Sequence, residues 1–392
     1  MTAERDSERR YRDFEFNLRE LAGSMGDFGT LFPLAVGYIV VNGLDPAGLF
    51  IVLGLTNIAL GLIYRLPMPL QPKKVIAASA IAQGWSPSLI YASGFGLGLI
   101  WLALVLTGLL RRLLDLTPTF VVRGIQLALA ATLAWRAVQW MRPAPLLALL
   151  AIIIVLVLRE NRYAPAAIVL MVLGVGIVAW RGDLPRTWQL ALTLPSLTLP
   201  RLRDVWQAML LAGFAQIPLS ITNAVIAPAA LIRDYFPEEK VVSERKLMLN
   251  MGVMNVAGSG LGGMPMCHGA GGLAGQYYFG ARTGGTPILE GLIEIGIGLF
   301  LSKSIANVLA TFPMPLMAGM MLLVSIELAR PVLELRGWKL GFTLFTAVLS
   351  VITNMALGFV AGLAAFHLIP GLGQRYSLFS VFGKKEDDEP DV

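Results

Sequence analysis

The stretch PMPLQPKK at residues 67–74 decides the fold, because its three prolines interrupt a long apolar segment. A second interruption, GGMPMCHGAGG at residues 262–272, lies in an apolar segment of the other half of the chain. Proline is excluded from the interior of a regular helix, so both stretches, the first break and the second break, are predicted to be extended. The apolar runs that follow them, 72–85 and 268–281, are shorter than the roughly 20 residues of a complete transmembrane helix. We therefore predict two half-helices.

Outward from the two breaks, the halves of the chain share further landmarks. Asn57 precedes Pro67 by ten residues, and Asn255 precedes Pro265 by the same ten residues. Three more landmarks recur in the same order and at similar spacing: Pro118 with Pro313, Gly124 with Gly319, and FGTLFP at 28–33 with FAQIP at 214–218. Such a series indicates an internal repeat. Each half holds seven predicted spans, an odd number, so the second half must be inverted in the membrane relative to the first.

The composition places the chain in lipid. Of its 392 residues 56% are hydrophobic and 14% are charged, and the mean hydropathy is +0.69. Soluble domains carry roughly 25% charged residues. Long continuous apolar runs indicate helices, because a barrel would show short alternating strands. The fold class is therefore an all-α polytopic membrane protein, and the single cysteine excludes an internal disulfide and a cysteine-based metal cluster.

Charge placement predicts the topology. Fourteen spans are expected near 25–42, 46–64, 72–85, 88–110, 117–138, 144–158, 163–180, 204–227, 244–262, 268–281, 285–302, 305–328, 338–354 and 357–370. With these spans, most of the 31 lysines and arginines fall on one side, which the positive-inside rule makes cytoplasmic. The same rule explains the net charge of +6 without nucleic acid. The chain is predicted to begin with a cytoplasmic segment (1–24). The first repeat (25–180), a joining loop (181–203), the second repeat (204–370) and a cytoplasmic tail (371–392) follow it.

The two breaks also predict a binding site. If the repeat is inverted, the half-helices point their N-termini at each other near the middle of the membrane, where free N–H groups and positive dipole ends favour an anion. The glycines of the second break let backbone approach a ligand closely. Gln71, Cys267 and His268 lie where the half-helices begin and offer donors. Lys73 and Lys74 either add charge to the site or are positive-inside residues that reach the membrane surface.

Polar residues in the first span of each half are predicted to line the remaining walls. Asp27 and Thr30 precede Pro33 in the first half, and Gln216, Ser220 and Asn223 flank Pro218 in the second. Polar groups at this depth are costly unless they face protein or water. Glu290 and Glu294, one helical turn apart, are candidates for proton coupling, as is Asp27. Ion pairing is the alternative for the two glutamates, and capping of a broken helix is the alternative for Asp27.

Three segments closely resemble the signature regions of the molybdate transporter family, which is related to the sulfate permeases and more distantly to uracil permease. They are GDFGTLFPL at 26–34, NIALGLIYRLPMPLQPKK at 57–74 and GGMPMCHGAGGLAGQYYFGARTGG at 262–285. The resemblance implies a seven-plus-seven inverted repeat, a core domain moving against a gate domain, and transport of tetrahedral oxyanions. It implies an oxyanion held between the third and tenth spans, at Gln71 and 267–272. The sequence departs from the family at Lys73, where methionine is common, and no regulatory domain is expected in 371–392.

The expected function is secondary active transport by an elevator-type alternating access, with molybdate taken up and sulfate or tungstate competing. A sulfate transporter, a proton-coupled nucleobase carrier on the same fold and an anion channel stay open as alternatives. An enzyme is not expected, because two histidines offer no nucleophile and base arrangement. No cofactor or metal is expected. The protein is predicted to lie in the cell membrane, and a homodimer is a possible assembly. The substrate-binding candidates are Thr30, Gln71, Pro72, Lys73, Lys74, Gln216, Ser220, Asn223, Cys267, His268, Gly269, Ala270 and Gly271.

Overall fold

The computed structural model describes residues 14–109, 116–158, 166–184, 190–239 and 242–368. Residues 1–13 of the predicted N-terminal segment and the whole predicted tail at 371–392 lie outside these ranges. Within them, the regular structure is helical apart from two strands of two residues each. The prediction of an all-helical membrane protein is therefore confirmed.

In its described residues, the first half contains a short N-terminal helix and seven further helices. Helix α1 spans Leu18–Ser24 and begins at Asn17, whose side chain accepts the backbone N–H of Arg19 and Glu20. Asp45 and Ser86 cap two later helices in the same way, which explains why these helices begin there. The helices after α1 are α2 Phe28–Val40, α3 Pro46–Tyr64, α4 Lys74–Gln83, α5 Pro87–Thr107, α6 Thr119–Met141, α7 Pro145–Leu158 and α8 Ala166–Trp180.

The described part of the second half contains seven helices. The first, α9, runs continuously over Leu202–Tyr235 because two π-helical turns, at Met209–Gly213 and Ile221–Ile226, absorb the irregularity around its prolines. The others are α10 Glu244–Gly260, α11 Ala270–Tyr278, α12 Gly285–Ala310, α13 Met314–Ala329, α14 Gly337–Ile352 and α15 Met355–Leu368. A 3-10 turn at Arg330–Glu334 follows α13.

Three predicted span boundaries were wrong: the end at 302, the start at 305 and the end at 227. The sequence interpretation ended one span at 302 and began the next at 305, whereas α12 continues through a π-helical turn at Ile297–Leu301 and ends at Ala310. The interruption lies instead at 311–313, just before α13. The span predicted at 204–227 extends to Tyr235 for the same reason, since a π turn keeps the chain helical.

Six helices in the described residues are long and apolar enough to cross a membrane: α3, α5, α6, α9, α12 and α13 with its 3-10 turn. Helices α4 and α11, which follow the two breaks, contain only 10 and 9 residues. At a rise of about 1.5 Å per residue, each is about 15 Å long, half of the hydrocarbon thickness. Their lengths agree with half-helices, whereas the inverted repeat stays a prediction.

The helices pack into two groups. The first bundle contains α3, α5 and α9 to α12, and glycines bring its helices close: a Cβ atom on Gly54 would overlap the carbonyl of Gly291, and one on Gly291 would overlap that of Gly54. The second bundle contains α6 to α8 and α13 to α15, where Gly124 meets Thr346 and Gly319 meets Ala151. Helices α2 and α4 lie between the bundles and contact both.

Candidate functional site

The two breaks meet as a pair of antiparallel strands. Strand β1, Gln71–Pro72, pairs with β2, Met266–Cys267, so that Gln71 faces Cys267 across the pair and Pro72 faces Met266. The backbone N–H of Lys73 extends the pairing by donating to the carbonyl of Pro265 at 2.9 Å. Helix α4 begins directly after β1, and α11 begins three residues after β2. This strand pair therefore places the starts of both short helices together.

A side chain from α10 fixes the second break. Asn255 accepts the backbone N–H of Met266 at 2.9 Å and donates its own amide to the Met266 carbonyl at 2.7 Å. It donates as well to the carbonyl of Met251, one turn earlier in its helix. Asn255 thus replaces the backbone partners that β2, in a sheet of two strands, lacks on its other side.

The Gln71 side chain lies directly against glycine backbone at the start of α11. A Cβ atom on Gly269 would overlap Gln71 Oε1, and one on Gly272 would lie 2.7 Å from Gln71 Nε2. Only glycine gives this approach without displacing the amide. Gln71 is buried, and its Oε1 has no hydrogen-bond partner among the described residues. Packing therefore holds the Gln71 side chain in place, and its Oε1 is available to accept a hydrogen bond.

The starts of the two short helices differ in their caps. At α4, Gln216 Oε1 accepts the backbone N–H of Val75 at 2.8 Å and of Ile76 at 3.4 Å, and Gln216 Nε2 donates to Ser220 Oγ at 2.8 Å. At α11, Gly269 occupies the cap position and makes no side-chain capping bond. The first N–H groups of a helix have no partner within it. Gln216, which donates to Ser220, therefore accepts two of the first N–H groups of α4, whereas no side chain in the described residues caps the start of α11.

Asp27 lies beside the start of α11. It ends a 3-10 turn, Met25–Asp27, that packs backbone to backbone on α11, because Gly26 and Gly275 leave no room for a Cβ atom on either side. A Cβ atom on Gly272 would lie 3.1 Å from Asp27 Oδ2. Both carboxylate oxygens are buried and have no hydrogen-bond partner among the described residues.

The two consecutive lysines point in different directions. Lys73 is fully buried, and its Nζ lies 5.5 Å from the centre of the Trp101 ring of α5, with no hydrogen-bond partner in the described part of the chain. Lys74 Nζ instead lies 3.5 Å from Glu327 Oε1 of α13. Lys74 therefore faces the second bundle, and Lys73 faces the interior of the first.

His268 is buried between the breaks. Its Nδ1 lies 3.4 Å from the carbonyl oxygen of Pro69 in the first break, and its ring meets Tyr64 edge to face with centroids 6.1 Å apart. Its Nε2 has no partner among the described residues. Cys267 is buried in β2. The structure thus brings both residues to the strand pair.

A buried polar cluster lies where α3 crosses α12. Asn57 Nδ2 donates to Glu294 Oε2 at 2.8 Å, and Gln276 Nε2 of α11 donates to Glu290 Oε2 at 3.4 Å. The close glycine contact of α3 with α12 places Asn57 opposite these glutamates. Each carboxylate thus has an amide donor, as buried charged or polar groups require.

Thr30 connects the site to the second bundle. Its hydroxyl donates to Glu327 Oε2 at 3.2 Å, and Glu327 also contacts Lys74. Sequence reasoning did not place Glu327 in the site, because nothing in a single sequence shows which residue of α13 meets the strand pair. Asn255 and Gln276 were missed too, although Asn255 belongs to the repeated landmark. Pro72 lies in β1, and Asn223 lies half-buried in the second π-helical turn of α9.

Comparison with known proteins places these features in a family context. A family model described as "Molybdate transporter of MFS superfamily" matches residues 19–133 and 208–328, which include both breaks. The chain is similar to molybdate transporter 1 of Arabidopsis thaliana, with 32% identity over 89% of this chain and 87% of that protein. Molybdate transporter 2 of the same plant is also 32% identical, over 94% of this chain and 91% of that one.

Solved structures share the fold. The transmembrane domain of the cyanobacterial bicarbonate transporter BicA superposes with a TM-score of 0.66 at 17% identity, covering 88% of this chain and 96% of that domain. Murine Slc26a9, an anion transporter solved in the inward-facing state, gives a TM-score of 0.68 at 12% identity, covering 95% of this chain and 69% of that one. At these identities the likeness concerns the fold.

Proposed function

Because this chain belongs to the molybdate transporter family, as its three signature segments predicted, we propose that it takes up molybdate by secondary active transport. The members of the family and the relatives named above are transporters, not enzymes. The observation that carries the proposal is the uncapped start of α11 beside Gln71 and Lys74. Sulfate and tungstate are the expected competitors, because both are tetrahedral dianions.

The donors at the strand pair suit a tetrahedral oxyanion. The backbone N–H groups of Ala270, Gly271 and Gly272 point along the helix axis out of the N-terminal end of α11, where the positive end of the helix dipole favours a dianion. Gln71 adds an amide. Lys74 adds an ammonium group at the edge of the site that faces α13, which we call the rim and which also contains Thr30 and Glu327. Buried donors that replace the lost hydration shell are what a doubly charged ion needs in a membrane.

The remaining candidates take supporting parts in this proposal. Gln216 and Ser220 hold the start of α4, and His268 connects the two breaks through Pro69. Thr30 lies at the rim with Lys74. Lys73 and Cys267 are assigned to the packing of the first bundle, Pro72 to the strand pairing, and Asn223 to the wall of the site.

The two bundles are the candidates for the two domains that move against each other during alternating access. We propose that the first bundle with α2 and α4 is the core, that the second bundle is the gate, and that the core carries the oxyanion past the gate in an elevator-type movement. The support is the grouping of the helices, since the strand pair lies against the first bundle while α13 reaches it from the second. The inverted repeat predicted from the sequence would supply two related halves for such a movement.

Proton coupling is proposed for Asp27, Glu290 and Glu294. Moving a dianion inward against a membrane potential costs about 5 kcal/mol per 100 mV, so accumulation needs cations that travel with it. Asp27 is buried beside the start of α11, and Glu290 and Glu294 are buried where α3 crosses α12. Protonation would remove the energetic cost of holding these carboxylates charged inside the membrane. An imposed inward proton gradient should accelerate molybdate uptake into proteoliposomes of wild-type protein but not of Glu290→Gln or Glu294→Gln protein. Equal acceleration in all three would contradict the coupling role.

The membrane placement rests on charge. We propose that both termini face the cytoplasm and that the protein resides in the cell membrane, because lysine and arginine concentrate in alternate loops. A homodimer stays a prediction. Labelling of single cysteines, introduced at exposed loop positions into a Cys267→Ser background, tests the orientation in intact cells.

Direct binding tests the substrate. Isothermal titration of the purified full-length protein with molybdate, tungstate, sulfate, phosphate and uracil should give tight binding of molybdate and competition by the other tetrahedral dianions. Gln71→Ala should weaken binding, whereas Gln83→Ala, at the exposed other end of α4, is the matched control and should not. Binding of uracil with no binding of any oxyanion would replace this proposal by a nucleobase carrier.

A further inference from the structure

A carboxylate from the second bundle occupies the rim of the anion site. Glu327 lies near the end of α13, with Oε2 bonded to the Thr30 hydroxyl and Oε1 paired with the Lys74 ammonium at 3.5 Å. A Cβ atom on Gly271, in the first turn of α11, would lie 3.6 Å from the same Oε1. The Glu327 carboxylate thus contacts the Lys74 ammonium and the Thr30 hydroxyl and lies close to the positive N-terminal end of α11.

These partners are those that an oxyanion would take. A carboxylate shares with molybdate its negative charge and its acceptor oxygens, and both favour an ammonium group and a helix N-terminus. We propose that Glu327 is an internal occupant of the oxyanion site, which the dianion must displace from Lys74 and Thr30 to bind. This inference rests on the proposed function, because it takes the strand pair as the place where the oxyanion binds.

The charges at the rim explain why displacement is required. Asp27 already places one carboxylate beside Gly272, and its oxygens have no hydrogen-bond partner among the described residues. A dianion that approached Lys74 with Glu327 still in place would meet a second negative charge at contact distance. Glu327 has room to leave, because 45% of its side chain is exposed against 11% for Lys74.

Displacement gives the site selectivity for dianions. A tethered carboxylate is present at high effective concentration, so an anion must interact with Lys74 and α11 more strongly than Glu327 does. A monoanion such as chloride or nitrate carries half the charge of molybdate and competes poorly. Glu327 also connects α13 of the second bundle to Thr30 of α2 and Lys74 of α4, so its release loosens a contact between the proposed gate and the proposed core.

The test compares Glu327→Gln with the wild-type chain by titration calorimetry of the purified full-length protein. Glutamine keeps the size of the side chain and removes the competing charge. Molybdate should bind roughly threefold to fivefold more tightly, the scale of a partly exposed ion pair, and chloride and nitrate should compete more strongly than in wild type. Glu334→Gln, which removes a carboxylate paired with Arg123 at 3.5 Å close to α13, is the matched control and should leave the affinity unchanged.

A double mutant separates displacement from general electrostatics. In a Lys74→Met background, Glu327→Gln should give a smaller gain in affinity, because the shared ammonium is gone. Glu327→Asp, whose shorter carboxylate reaches Lys74 less well, should fall between wild type and Glu327→Gln and serves if the glutamine variant unfolds. Unchanged or weaker molybdate binding in both Glu327 variants, with wild-type melting curves, would overturn the inference alone. A wild-type chain that binds no oxyanion would overturn the proposed function as well.

Discussion

The break at residues 67–74 and the break at residues 262–272 meet in one strand pair, yet they bring different chemistry to it. The first break supplies side chains, namely the Gln71 amide and the Lys74 ammonium, and the helix after it is capped by Gln216. The second break supplies bare backbone, with glycines against Gln71 and an uncapped helix start. The site is therefore divided between a side-chain half and a backbone half, although the two breaks share a sequence landmark.

The matched asparagines show the same divergence. Asn255 holds β2 through three hydrogen bonds, whereas Asn57, at the corresponding place in the first half, donates to Glu294 and leaves its Oδ1 without a partner among the described residues. Repeated landmarks therefore identify where the chain breaks, but each half has been adapted to a separate task.

The largest effect is expected from adding one methyl group to the backbone half. In Gly272→Ala, the new Cβ atom would lie 2.7 Å from Gln71 Nε2 and 2.9 Å from Pro69 Cβ, so it would displace the amide that the proposal assigns to the oxyanion. Overpacking of this kind destabilises a protein by about 1–3 kcal/mol. Loss of the amide as a donor to a charged ion, a bond that contributes about 1.5–3 kcal/mol, should in addition weaken molybdate binding roughly tenfold to a hundredfold. Titration calorimetry measures the change.

Gly296→Ala provides the matched control for this substitution. Gly296 lies in α12 with open space around a Cβ atom, so alanine should be tolerated and should leave molybdate affinity at the wild-type value. Equal affinities for Gly272→Ala and Gly296→Ala would mean that the backbone half does not take part in binding.

The next largest effect should separate the two lysines of the first break. Lys74→Met removes the ammonium group that pairs with Glu327 and should weaken molybdate binding about tenfold. This corresponds to the lower end of the roughly 1.5–3 kcal/mol that hydrogen bonds to charged groups contribute. Lys73→Met replaces a buried amine that has no hydrogen-bond partner among the described residues. An apolar side chain of similar length should raise the melting temperature or leave it unchanged. A loss of affinity in Lys73→Met alone would reverse the assignment.

These two lysines also show what a sequence can predict. Pro67, Pro69 and Pro72 determined the first break without any structure, because the geometry of proline forbids a helix there. The side on which each lysine lies depends on the twist of a two-residue strand and on the position of α13, which no local pattern encodes. For the same reason Glu327 was not recognised as a site residue, and the end of α12 was predicted too early, since a π-helical turn leaves no composition signal.

A smaller effect should distinguish the matched asparagines. Asn255→Ala removes three hydrogen bonds at Met266 and Met251 and leaves buried backbone groups unpaired, so it should lower both stability and molybdate affinity. Asn57→Ala lies away from the strand pair and should leave affinity unchanged while altering the response of uptake to a proton gradient. Melting curves, titrations and proteoliposome uptake would detect the difference. Identical behaviour of the two variants would contradict the division of tasks.

The smallest effect is expected at Gln216, and it tests whether the two helix starts are truly unlike. Gln216→Ala removes the cap of α4 and should destabilise the protein by about 0.5–2 kcal/mol, the usual cost of a lost cap. If only α11 binds the oxyanion, molybdate affinity should fall less than in Gly272→Ala. If affinity instead rises, the uncovered N–H groups of Val75 and Ile76 have joined the site. The start of α4 would then be a second group of donors for the same oxyanion. In the wild-type protein Gln216 blocks this group, because its carboxamide oxygen accepts the N–H groups that the substrate would otherwise reach.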